Sequence, residues 1–541
     1  MWQHDYTPVA GSLAISTVVA ALPVGSLFYL LGVKRKPAWL AGLAGVITAA
    51  CVALLAYRMP AGTMLSATAY GAAFGLFPIG WVVFSAILLY AITVDTGQFD
   101  IIRDSVAALT KDRRLQALLI AFAFGAFIEG AAGFGTPVAV SSAMLAGLGF
   151  PPFNAAAICL LANTAPVAFG SIGIPVVTLA GVTNLPVDRL SAGVGRICAP
   201  VSLIIPAYLV AVMGGRHALR GILPAAALCG VSFAAVQLMA SNLVGPQLTD
   251  ILSSLAAIGV LVGLFVMWKP RDRFHLEGDI EATAPPRAYS KRQLLRAWGP
   301  YLLLVLCVLL WGWAPIQRLL NAVSVSFFWP GLHNAIERVP PAVPVRVPYG
   351  APFNLNWLSA SGTACFVAAV FSALLLRMPP RRFGKVVLQT SRQLALPTLT
   401  IVSVLALAFL MNYSGATATL GLAFAATGAL FPFFSSLLGW LGVFLTGSDT
   451  SANALFGNLQ VVTAGRLGLN PILMAACNSS GGVMGKMISL QSIAVAAAAT
   501  GMQPDEESGL FRFTLRHSIF LASIIGLVTM LYAYVIPRWA P

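Results

Sequence analysis

"GAFIEGAAGFGTPVAV", residues Gly125–Val140, is as apolar as a membrane-spanning helix, yet it carries a carboxylic acid, Glu129, four glycines and Pro137. A plain oily helix needs none of these. Insertion scales put an ionised side chain at the helix centre at about 2.5–3.5 kcal/mol, so acids inside a membrane mark ion or substrate paths. Glycine and proline interrupt the helix and free backbone amides, which lipid tolerates only where they meet protein, water or a ligand. The stretch predicts a chain that lives in a bilayer and breaks a helix there to build a site.

The rest of the chain agrees with the first half of that reading. Of 541 residues, 58% are hydrophobic and 9% charged, and the mean hydropathy is +0.86. A soluble domain carries about 25% charged residues. The net charge of +15 does not point to nucleic acid, because the basic residues form short clusters between apolar runs, as the cytoplasmic bias of Lys and Arg in membrane proteins requires. Seven cysteines are scattered singly with no CxxC, which excludes a disulfide or metal framework and leaves small buried hydrophobes. The first apolar run, from Pro8 to Gly32, is too long for the core of a signal peptide and reads as the first span.

At about 20 apolar residues per crossing, the chain predicts an all-α polytopic membrane protein of roughly 12–14 transmembrane helices. The clusters "KRK" (Lys34–Lys36), "KDRR" (Lys111–Arg114), Lys269–Arg296 and "RMPPRRFGK" (Arg377–Lys385) are expected in the cytoplasm. That puts the N-terminus outside and makes Pro315–Pro352 an outside loop. The expected organisation is an N-terminal membrane half, 1–270, a cytoplasmic linker, 271–297, and a C-terminal membrane half, 298–541.

The halves share a pattern. "GAFIEGAAGFG" from Gly125 matches "GVFLTGSDTSA" from Gly442, and "NTAPVAFGS" from Asn163 matches "NSSGGVMGK" from Asn478, with "LGFPP" and "LGLNP" between them. This reads as an internal repeat with broken or re-entrant helices, over about 115–185 and 433–500. Gly/Pro-interrupted apolar segments at matching positions of two halves point to a transporter binding site. A half-helix N-terminus attracts anions, glycine admits the ligand to the backbone, and Asn, Ser and Thr add directional bonds. The candidate substrate-binding residues are Gly130, Gly133, Gly135, Thr136, Asn163 and Thr164 in the first half. In the second they are Gly447, Ser448, Thr450, Ser451, Asn453, Asn478, Ser479, Ser480 and Lys486. Glu129 and Asp449 are the candidates for proton coupling, Asp449 also as a helix cap. Arg196 and Arg392 are weaker candidates, and Asp95 and Asp100 read as interfacial.

"FIEGAAGFGTPVA", "NTAPVAFGSIGIP", "LTGSDTSANALFGNLQ" and "GGVMGKMISLQSIAVA", with "TGQFDIIR", "NYSGATATL" and "LFRFTLRHS", resemble the lactate permease family of proton-linked L-lactate and glycolate permeases over nearly the whole chain. The resemblance implies that the two repeats are inverted, and it implies symport of L-lactate, D-lactate or glycolate with a proton across the plasma membrane, with no cofactor and no metal. It leaves room for a homodimer. The family's usual "GFGAPVA" is "GFGTPVA" here, and the added hydroxyl of Thr136 bears on substrate preference. Sodium coupling stays open, because the carbonyls of broken helices also hold sodium. An intramembrane enzyme is the weaker alternative, since no HExxH, GxSxG or GxxxxGK[ST] occurs.

Overall fold

The computed structural model describes residues 1–133, 135–270, 272, 274, 276, 289–503 and 506–540. It is 78% helical. Eleven helices among the described residues are long and apolar enough to cross a membrane, or twelve if the bent pair Pro152–Ala162 and Val167–Thr183 counts as one span. Twelve is the low end of the expected number and eleven falls just below it, and two helix lengths explain the difference. Val187–Leu243 runs 57 residues, long enough for two crossings at about 1.5 Å per residue, and its helical geometry fails at Gly214 and Gly215. Ser361–Leu375 is apolar but only 15 residues long. Ala61–Asp95 is broken at Phe77, one residue before Pro78.

Lipid offers no hydrophobic drive for helix association, so close approach through small residues must supply it. The pair Phe431–Thr446 and Pro471–Lys486 shows how. A Cβ at Gly439 would strike the Asn478 carbonyl, one at Gly481 the Ser436 carbonyl, and one at Gly485 the Trp440 carbonyl. The backbones touch where side chains would otherwise hold them apart.

The loop expected outside, Pro315–Pro352, is more ordered than its composition suggests. It carries strands β2 (Val325–Phe328), β3 (Ile336–Arg338) and β4 (Val347–Pro348), and β5 (Pro352–Leu355) begins at its end. The N-terminal β1 (Trp2–Gln3) adds parallel to β3, and β2 pairs antiparallel with β5. This cap is riveted to the end of the long helix Pro380–Ser414. His4 Nε2 lies 2.9 Å from the Tyr413 carbonyl, and Tyr413 OH donates to the Gly350 carbonyl at 2.8 Å. The N-terminus and this loop therefore lie on one side of the molecule. Beneath the cap opens a cavity of about 680 Å³, lined among others by Tyr70, Phe74, Asn184, Tyr349, Asn356 and Tyr413.

At the basic clusters, Arg114 is fully buried between the carboxylates of Asp112 and Asp272, at 2.8 Å to each, under the ring of Phe274. The guanidinium holds the Asp272 carboxyl below the usual carboxylate range. Of the expected linker 271–297, only Asp272, Phe274, Leu276 and residues 289–297 fall within the described residues. Its last part is already helix, Lys291–Gly312, started by a Ser290–Gln293 capping box.

Candidate functional site: a buried ammonium and two carboxyls

Both halves build the same order of local elements. In the first, helix α1 (Gly125–Ala131) ends, glycines turn the chain, and α2 (Thr136–Gly147) begins; then α3 (Pro152–Ala162) breaks before α4 (Gly170–Thr183). In the second, α5 (Phe431–Thr446) breaks before α6 (Asp449–Leu467), and α7 (Pro471–Lys486) breaks before α8 (Leu490–Thr500). The glycines at the breaks are there for conformation: Gly133 has φ +61° and Gly447 φ +71°, the left-handed region in which a side chain is strained.

Glu129 sits in the last turn of α1 with 4% of its surface exposed. Its carboxyl faces the break between α3 and α4, where a Cβ on Gly170 would lie 2.5 Å from Oε1. Oε2 has no hydrogen-bond partner. The Asn163 side chain lies against this carboxyl but outside hydrogen-bond geometry, so both its amide atoms are unsatisfied. Ser171 and Ile172, at φ +47° and +60°, hold the break in a conformation costly for residues with a side chain. Ser171 Oγ ties this break to the one after α1 by donating to the Ala132 carbonyl at 3.0 Å.

Asp449, 3% exposed, opens α6 without capping it. The cap is Ser448, whose side chain accepts from the Ser451 amide at 3.2 Å. Asp449 Oδ2 instead accepts from Ser479 Oγ at 2.6 Å and Asn453 Nδ2 at 3.1 Å, and Oδ1 is unpartnered. Lys486, 7% exposed, ends α7 and donates to the Gly447 carbonyl at 2.5 Å. Its ammonium acts electrostatically on both Glu129 and Asp449, yet among the described residues it forms no ion pair with either within 4.0 Å. A lysine has three donors, so donors remain for an anionic guest.

The other candidates divide. Ser480 Oγ is buried and unpaired. Thr164 Oγ1 bonds back to the Leu161 carbonyl at 2.7 Å. Asn478 is consumed by structure: Nδ2 donates to Asn453 Oδ1 at 2.9 Å and Oδ1 accepts from Gln460 at 3.0 Å. Asn453 also donates to the Pro175 carbonyl of α4 at 3.2 Å, tying the halves together. Gly130 packs against Asp250, Gly135 approaches Val495 of α8, and Gly447 approaches Gln491. Thr136 starts α2 and Thr450 lies in the first turn of α6. Arg392 is exposed and Arg196 bonds Asn242 and the Trp539 carbonyl, so neither joins this cluster. Sequence reading missed Gly170, Ser171 and Asp250; an acid heading the apolar run after "GPQLT" was the available signal for the last.

A family model described as L-lactate permease matches residues 16–536. The chain belongs to the L-lactate permease family. It is 46% identical to the L-lactate permease of Bacillus subtilis (strain 168), over 100% of both chains. It is 44% identical to the Escherichia coli (strain K12) L-lactate permease, over 100% of both, and 44% identical to the glycolate permease GlcA of that strain, over 99% of this chain and 98% of that one. As a member of a permease family it is a multi-pass membrane transport protein and not an enzyme.

Proposed function

We propose that this permease imports L-lactate, with D-lactate and glycolate as related 2-hydroxymonocarboxylate substrates, across the plasma membrane by proton symport, with its N-terminus outside. The observation that carries the reading is the buried ammonium of Lys486, bonded to the Gly447 carbonyl and acting electrostatically on the carboxyls of Glu129 and Asp449, which stand on broken helices of the two halves. Lys486 receives the substrate carboxylate as a point charge. The unpaired Asn163 and Ser480 offer bonds to the carboxylate and the 2-hydroxyl. Glu129 carries the proton, since an acid in a water-poor site resists standing charged without a partner. The names of its relatives, L-lactate permease and glycolate permease, support this substrate class, and the halves are read as inverted repeats.

One lactate anion moving with one proton carries no net charge. Membrane potential, at about 2.3 kcal/mol per charge per 100 mV, then contributes nothing. One unit of pH gradient supplies about 1.4 kcal/mol, a tenfold accumulation. The test is uptake of labelled L-lactate into proteoliposomes under a pH gradient, a sodium gradient or a potassium-diffusion potential, each alone. Accumulation under the pH gradient alone is expected. Accumulation driven by sodium would replace the coupling ion, and accumulation driven by potential would require more than one cation per anion.

A further inference from the structure

Asp250 stands in the first turn of the helix Thr249–Met267 and is 1% exposed. Both its carboxyl oxygens lack a hydrogen-bond partner, although it stands in a first helical turn where acids commonly find backbone donors. A buried carboxyl without a donor is expensive to keep as an anion, and chains do not retain one in a membrane without use. Its position is specific. The Asp250 Cβ lies 2.8 Å from where a Cβ on Gly130 would stand, and Gly130 directly follows Glu129. Only a glycine admits the two acid-bearing elements so close.

The groups that face Asp250 are few. From α1 comes Glu129, which acts on it electrostatically, and from Val187–Leu243 comes Cys198, a thiol. Ala117–Phe124 and α4, the other elements packed against this helix, carry no titratable side chain. Lys486 acts on Glu129 and Asp449 and not on Asp250.

We propose that Asp250 is a second proton-binding group of the transport cycle, paired with Glu129 across Gly130, so that the coupled proton passes between the two carboxyls. The proposal rests on the proton-symport reading above. In the step, an O–H bond of one carboxyl breaks as an O–H bond of the other forms, and the negative charge moves the opposite way. Nothing else is consumed.

The test uses the full chain in proteoliposomes. Asp250→Asn and Asp250→Ser are each measured for pH-driven L-lactate accumulation and for lactate–lactate counterflow at equal pH. Counterflow needs no net proton release. The expected result is at least a tenfold loss of pH-driven accumulation with counterflow within about threefold of the parent. Asp250→Glu, which keeps an acid, is expected to restore accumulation with a shifted pH profile. Wild-type accumulation in either variant overturns the proposal. So does loss of both activities in folded protein, or failure of both variants to fold, because Asp250 is then structural. If the parent itself shows no pH-driven accumulation, the proton-symport reading has failed, whatever the variants do.

Discussion

Glu129→Gln keeps the shape of the protonated acid and removes the exchangeable proton. It is expected to abolish pH-driven accumulation while counterflow continues, which parallel measurement of the two on one preparation checks. Wild-type accumulation would make Glu129 structural. Lys486→Gln removes the cation that acts on both Glu129 and Asp449. It should raise the KM for lactate about tenfold or more, equivalent to about 1.4 kcal/mol of lost attraction, and an unchanged KM would remove the ammonium from the substrate site. These residues were legible because charge in an apolar run is costly enough to need a reason. Asp250 was not, because an acid at the head of an apolar run also reads as an ordinary helix start. Ser171 was not, because a hydroxyl inside a membrane helix is cheap and common. Nor does sequence separate a free amide from a consumed one: Asn163 is unpaired and Asn478 fully bonded, although both head the same repeat pattern.

Helix α5 meets α7 through glycines whose missing side chains let carbonyls approach. Gly481→Ala would place a methyl against the Ser436 carbonyl, which belongs to backbone and cannot swing aside. Overpacking of this kind costs about 1–3 kcal/mol. A lower melting temperature in detergent is expected, while Gly465→Ala, with open space around it, should melt as the parent does; equal melting of both would show that the contact yields. Element breaks were readable because Gly and Pro announce them, and "TGSD" and "GAAGFG" fall where α6 and α2 begin. Strand elements were not. β1 and β4 have two residues each, too few for an alternation to show, and the partner of β1 lies more than 330 residues away.

The cap joins the two ends of a long stretch of chain through one buried imidazole. Burial holds His4 down to about 4, against an ordinary value of about 6.5. An unfolded chain takes up the proton near pH 6.5, the folded cap only near 4. Stability is therefore full above pH 6.5 and falls as the pH drops toward 4, by about 3 kcal/mol over that window. Thermal melts at pH 7 and pH 4.5 should show this drop, and His4→Gln should flatten it; an unchanged slope would assign it elsewhere. The overall class was evident from composition, and so were the two apolar runs within the 57-residue helix, Gly193–Met213 and Gly221–Ala240, because the polar "GGRHALR" separates them where the helical geometry fails at Gly214–Gly215. One further link acts across the whole molecule. The amide of Asn453 donates both to Asp449 and to the Pro175 carbonyl, so it fastens the carboxyl of one half to the broken helix of the other. A carrier wastes its driving gradient whenever one passenger crosses without the other, and under proton symport this amide is expected to act as a clutch against such slippage. Asn453→Ala should let the protein idle: protons should leak into lactate-free liposomes, seen as decay of an imposed pH gradient by a trapped dye, at a rate the parent does not show. A vesicle as tight as the parent's would mean the halves are kept in step by something other than this amide.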